Sequence, residues 1–441
     1  MNQIKRIFNV KFTSKVVFGI CFAFSVNSQT LDLPACLKMA DTANLTLRSA
    51  QLDILMNEKQ VDAYKSARLP KLTFSGDYRY NAIIPGQIVP GEFFGGAPGT
   101  FGTVRFGVPF TLGNTLQLTQ VLYNPQVNYA LNALEINQKV VEIQQRNTEQ
   151  QVKQQLASTY FNLQAISKQR SFISGNIISM NKLIANMEAM QKQGLVIGTE
   201  VDKLKINRLN LENSQQSLTA TQEQLRSLIN IYIGLPADAP TEFVSDEIIE
   251  QSILIDETTI NRPELELLAA QKSLNAEERK GTSKAYLPSL SAYAAYSYTQ
   301  NINPESNFTT GINAAFIGLK LDWTLFDGLE KYNKQKVNAI QREKIENQEK
   351  LITQQLDLET TNAKKQITIQ TNSLAISQEQ LQLAQRVYKQ TEAQFQQGTV
   401  SSNDVITADT NLQQAQTNVV SAYIQLRQAE LSYLKSIGNI K

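Results

Sequence analysis

The residue types that could do chemistry are few, and their spacing points away from catalysis. Glu200 and Asp404 each lie six residues after a turn glycine, Gly194 and Gly398. An acid at that distance can simply cap the start of a helix. The chain has no histidine, which removes the usual general base and the commonest metal ligand. Gly95-Gly96 sits in a glycine-rich loop without a following Gly-Lys-Ser/Thr, so it is no phosphate cradle. No Cys-x-x-Cys pair and no calcium loop of alternating acids occur. For want of a nucleophile and a base, the chain reads as a non-enzyme that needs no cofactor and no metal.

Composition narrows the partners little. A formal charge of +2 with 19% charged residues gives no acidic or basic bias and so no case for nucleic acid. The N-terminus carries Lys5, Arg6, Lys11 and Lys15, an apolar run Val16 to Val26, and then Asn27 and Ser28 before Gln29. This is the plan of a secretory signal, residues 1–28, cleaved after Ser28. Cys21 would leave with it, so the mature chain would hold Cys36 and no internal disulfide. Leu33-Pro34-Ala35-Cys36 loosely imitates a lipoprotein site. The apolar run ends too early for that and Pro34 fits it poorly, so Cys36 reads better as a small apolar residue of the first helix than as a lipid acceptor. After the signal no run of about 20 apolar residues follows, and a membrane role must come from strands.

The elements that position the two acids are long helices. Leu329 to Phe395 holds neither proline nor glycine, and at about 1.5 Å per residue it would run roughly 100 Å. Ile367, Leu374, Leu381, Tyr388 and Phe395 recur every seventh residue, and Ile369, Ile376 and Leu383 repeat that spacing two residues on. Two residues are about 200° apart on a helix, so these are nearly opposite seams. A dimeric coiled coil wants one seam; two belong to a wall of helices. After Gly398 a second helix carries Val405, Leu412, Val419, Leu426 and Tyr433 at one heptad position and Ala408, Ala415, Ala422 and Ala429 at another. That seam lets it fold back along the first.

The same plan occurs twice. Gln193-Gly194 returns as Gln397-Gly398, and Ile233-Gly234 as Ile437-Gly438, both at a shift of 204 (397 minus 193). Leu69-Pro70 matches Leu287-Pro288, and Leu122-Tyr123-Asn124 matches Leu325-Phe326-Asp327. Each copy runs a helix (Ala35 to Arg68; Pro263 to Ala285), two alternating segments, a long helix (Pro125 to Lys192; Leu329 to Phe395) and a medium helix (Thr199 to Ile233; Asn403 to Ile437). The division is residues 29–234, a linker 235–260 with an acidic stretch from Asp246 to Glu257, and residues 261–438. First and last helices together match the long one and could stack end to end beside it.

The alternating segments Leu72 to Asn81, Val104 to Leu122, Leu290 to Thr299 and Phe316 to Phe326 read as strands, apolar and aromatic on one face. The fold is mainly α with a small antiparallel β part. A soluble sheet would pack its apolar face on a core, but the helices are committed to one another. Four strands cannot close a barrel, for which about eight is the smallest number, so several chains must pool strands if that face meets lipid. The loop Ile83 to Gly102, with Phe93, Phe94 and Phe101, would join the first two strands outside the cell.

The duplication, Leu287-Pro288 before a strand, Leu325-Phe326-Asp327-Gly328 into the long helix, and Gly398 followed by Asp404-Val405 together resemble the TolC family of outer-membrane efflux proteins, over nearly the whole mature chain. The resemblance implies a homotrimer whose strands close a 12-stranded barrel in outer-membrane lipid and whose helices form a periplasmic tunnel. It implies an exit duct for an inner-membrane transporter and a periplasmic adaptor, with the inter-helix turns at Gly194 and Gly398 docking the adaptor. Carried over by position, Asp404 falls on an acid lining the narrow aperture, Glu200 on the acid of the equivalent turn, and Phe395 on an aromatic that helps hold the gate shut. A ring of such acids would favour cations. Thr407 and Val400 stand where the family has a second aperture acid and a gate arginine, which puts a two-ring acidic filter in doubt. The alternative is a non-conducting periplasmic coiled-coil protein that tethers envelope layers. An adaptor subunit would carry a lipoyl-like β domain and an inner-membrane anchor, and neither is found.

Overall fold

The computed structural model describes residues 30–194, 196–244 and 262–439. The signal at 1–28 and the acidic stretch Asp246 to Glu257 lie outside the described residues. Helix α1 (Leu33–Ala43) is started by Asp32, whose carboxylate accepts from the Ala35 amide at 2.9 Å. The first helix expected from the sequence is in fact two: α2 (Leu45–Lys65) begins anew after Asn44. The Asn44 carboxamide accepts from the Thr46 and Leu47 amides and donates to the Tyr232 carbonyl at 2.8 Å. Its side chain thus supplies the hydrogen bonds that a continuous helix would have made, and turns the chain there.

Strands β1 (Lys71–Tyr80), β2 (Gly86–Pro90), β3 (Phe101–Arg105) and β4 (Phe110–Tyr123) follow, then helices α3 (Pro125–Lys192) and α4 (Gly198–Tyr232). After residue 262 come α5 (Pro263–Lys284), β5 (Ser289–Asn303), β6 (Phe308–Asp322), α6 (Glu330–Gln396) and α7 (Ser402–Ile437). The sequence expected one strand over Val104 to Leu122; Gly107 at φ +156° and Pro109, which has no amide hydrogen, separate β3 from β4. β2 and β3 pair with each other as a hairpin inside the expected loop. The last strand starts earlier than read, at Phe308, and ends at Asp322, leaving Trp323 to donate to the Tyr286 carbonyl at 3.0 Å.

The main sheet has the order β1-β4-β5-β6, antiparallel throughout, with β1 and β6 as its edges. Leu72, Leu118, Ala294 and Ile317 share one row, and Phe74, Leu116, Tyr296 and Ala315 the next. This apolar face is uncovered; Ile317 is 87% exposed. The opposite face of β1 and β4 carries Thr73, Ser75, Asp77 and Arg79 with Gln117, Thr115 and Thr111.

The helices form one layer. α2 and α4 stack end to end along one flank of α3, α5 and α7 along the other, and α6 lies beyond α5 and α7. The seam of α7 read from the sequence is buried throughout, from Val405 through Leu412, Val419 and Leu426 to Tyr433. A core of Cys36, Ala40, Leu156, Tyr160, Leu163, Ile229, Ile233 and Phe243 packs α1 against α3 and the end of α4. A second core, with Met180, Leu183, Met187, Leu204, Tyr388, Phe395 and Val405, lies near the turns that join α3 to α4 and α6 to α7.

Candidate functional site

The two helical turns carry the residues singled out by sequence. Gly194 has φ +77° and Gly398 φ +74°, the left-handed conformation that ends a helix without a Cβ clash. The Gly398 amide donates to the Phe395 carbonyl at 2.9 Å and the Thr399 amide to the Gln394 carbonyl at 3.0 Å. Both turns therefore reverse direction within a few residues and bring the starts of α4 and α7 side by side.

Asp404 closes a capping box. Its Oδ2 accepts from the Ser401 amide at 2.9 Å and from the Ser401 hydroxyl at 2.7 Å, while its own amide donates to Ser401 Oγ at 3.3 Å. These bonds to Ser401 hold its carboxyl below the usual carboxylate range, so it is charged at neutral pH. The side chain is exposed even so, and capping leaves its charge available to solvent.

Glu200 lies in the first turn of α4 and accepts from Lys203 Nζ at 2.8 Å and from the Ser402 hydroxyl. Those bonds lower its carboxyl. Ser402 begins α7, so Glu200 joins the two turns directly. No reading of the sequence singled out Ser402; its only signal was its place beside the capping serine.

Phe395 is 6% exposed, packed in the core near the turns with Tyr388 and Val405. Val400 packs against that same core, an apolar side chain where the family resemblance called for a gate arginine. The Thr407 hydroxyl donates to the Asn403 carbonyl of its own helix at 2.8 Å, so no second acid stands near Asp404 on this turn.

Asp409, which sequence reasoning passed over, is 2% exposed. It accepts from Asn207 of α4 at 3.2 Å and from Gln413 of its own helix at 2.6 Å. Burial raises its carboxyl above the ordinary value. The signal was available: position 409 follows the seam residue Ala408, and residues with polar groups stand at the next three seventh places, 416, 423 and 430.

Cys36 is fully buried beside Ala40 and Tyr160, and burial, helped by Asp32, pushes its thiol up to about 12. An acyl chain on this sulfur would have to displace that core. Among the described residues no group of acids and cysteines could hold a metal ion, and no helix is long and apolar enough to cross a membrane.

Residues 254–439 match the family described as outer membrane efflux protein. No curated protein matches the chain. Among solved structures, the chain is similar to the outer membrane protein VceC of Vibrio cholerae at 14% identity, covering 92% of this chain and 96% of that one with a TM-score of 0.70. The CmeC outer membrane channel of Campylobacter jejuni aligns at 15% identity over 92% and 85%, with a TM-score of 0.72. The open state of the MtrE outer membrane channel of Neisseria gonorrhoeae aligns at 13% identity over 93% and 89%, with a TM-score of 0.69. The fold of this chain is that of these channels, and the resemblance to the TolC family read from its motifs is borne out.

Proposed function

We propose that this chain is the outer-membrane exit duct of a tripartite export system, working as a homotrimer and doing no chemistry of its own. The observation that carries the proposal is what one chain leaves uncovered. The outer seam of α6 presents Leu351, Leu358, Ile369, Ile376 and Leu383, between 47 and 61% exposed. The far edge of the layer presents Leu52 and Met56 of α2 and Ile206 and Leu209 of α4, also exposed. An edge of one copy laid on the opposite edge of the next buries both, and repetition closes a tube.

The sheet argues in parallel. Edge strands β1 and β6 offer unpaired backbone groups, which lipid cannot satisfy. Pairing β6 of one copy with β1 of the next removes the edges, and three copies of four strands make 12, enough to close. The apolar face then meets outer-membrane lipid and the Thr, Ser and Gln face lines water. We assign residues 29–234 and 261–438 as two copies of one unit joined by 235–260, in keeping with the element order.

At the inner end, the turns at Gly194 and Gly398 are the surface offered to a periplasmic adaptor, itself tied to an inner-membrane pump. Asp404 supplies a ring of exposed charge at the narrow point, Glu200 ties the two turns, and Phe395 belongs to the packing that must rearrange on opening. Passage is passive: width and wall charge set selectivity there. Purified protein in planar bilayers should give discrete conductance steps, and Asp404→Asn should raise anion conductance. Protein that inserts without conducting leaves the tethering coiled coil in its place, and an unchanged cation preference removes Asp404 from the filter.

A further inference from the structure

Along α7 four residues spaced by seven, Asp409, Gln416, Tyr423 and Glu430, are buried and carry polar groups. Three of them reach across to the other helical hairpin. Asn207 of α4 donates to Asp409, Gln416 and Asn176 of α3 exchange amide hydrogen bonds at 2.8 and 3.2 Å, and the Tyr423 hydroxyl donates to Gln164 of α3 at 3.0 Å. Glu430 is held within α7 by Arg427 at 2.7 Å. Bonds of this kind pin the register of α7 against α3 and α4, because a slide of one turn breaks all three at once and leaves buried polar groups unpaired.

Asp409 differs from the rest of the stripe. It is an acid whose hydrogen-bond donors are neutral amides, Asn207 and Gln413. Charged residues near Asn207 along α4 pair with one another or with α3. On α4, Lys203 pairs with Glu200 and Arg208 with Glu212; Glu188 of α3 pairs with Lys205 of α4. On α6 it is faced by Tyr388, with Glu392 farther along that helix. On its own helix Asp404 is bound to Ser401 at the cap. The Tyr388 hydroxyl is itself buried without a hydrogen-bond partner among the described residues. An ionised carboxylate in such a place costs free energy that a proton removes.

We infer that Asp409 is a proton-sensitive latch between the α3–α4 and α6–α7 hairpins, tightening their packing as the pH falls. The inference rests on the duct reading above, since the packing it tightens is that of the closed end. The sign follows from burial. In the packed state the carboxyl binds its proton more readily than the ordinary value of 3.8, whereas a slid hairpin exposes it to water and restores that value. Packing therefore gains as pH falls and is weakened as pH rises from the ordinary value through the raised one. Each unit by which burial raises the carboxyl allows about a tenfold change in the ratio of packed to open chains.

The test is single-channel recording on the reconstituted full-length protein between pH 4 and 8. Wild type should show an open probability that rises several-fold with pH. Asp409→Asn, which imitates the protonated acid, should hold a low open probability at every pH. A second readout needs no pore: the variant should melt at a higher temperature than wild type at pH 8 and at the same temperature at pH 4. A wild type that conducts without responding to pH, or a variant that keeps the wild-type profile, overturns the latch and leaves the duct standing. Absence of conductance in both overturns the duct and the latch with it.

Discussion

Helices α3 and α6 are almost equal in length, 68 and 67 residues, and follow the strands in the same way, yet one lies inside the molecule and the other at its margin. Twenty residues of α3 are buried and six of α6. α3 has α2 and α4 on one flank and α5 and α7 on the other; α6 has α5 and α7 and, among the described residues, no helix packed closely on its other flank. α6 carries apolar residues on two flanks all the same. The difference is therefore one of supply: the chain covers both sides of α3 from within, and leaves one flank of α6 exposed.

The comparison breaks most visibly at the outer seam of α6. Ile376→Glu combined with Leu383→Glu places two carboxylates where a neighbouring copy would bury them, at a cost of several kcal/mol each. Sedimentation in detergent should show monomers in place of trimers, with helix content by circular dichroism unchanged. A trimer that persists would mean that the open flank of α6 is not the interface.

The next largest effect lies on the covered helix. Leu156 of α3 is fully buried, and Leu156→Ala should cost about 2–5 kcal/mol in denaturant titration. Leu358→Ala on the exposed flank of α6 should cost the separated chain less than about 1 kcal/mol. Equal losses at the two positions would erase the distinction drawn between the helices.

The turns sharpen it from the other side, because here the two hairpins should behave alike. A Cβ at Gly194 or Gly398 would meet nothing within 4 Å, so the left-handed backbone alone opposes it. Gly194→Ala and Gly398→Ala should each destabilise by about 1–2 kcal/mol in thermal melts, and Gly398→Asn by less. Unequal losses would show that one turn is held by contacts with a neighbouring copy.

Much of this architecture could be read from the chain, and the exceptions share a cause. The start of α3 at Pro125 and its end at Lys192 were legible because Asn124 caps, Pro125 fits a first helical turn and Gly194 stops the helix. The break at Asn44 was not, since the bond that favours it goes to Tyr232, 188 residues away. In the candidate site, Asp404 and Glu200 were visible from their distance to a glycine. Ser402 gained its meaning only from Glu200, and Asp409 only from Asn207, each a partner in the other hairpin.

The amino-acid order alone determined the extent of the two long helices, the alternating faces of the main strands and the two apolar seams of α6, because periodicity reports which faces of an element are apolar. Tertiary structure alone decided which of those faces the chain covers itself, which acid becomes buried and which stays in water. Those outcomes depend on residues hundreds of positions apart meeting in space, and no local spacing carries that information.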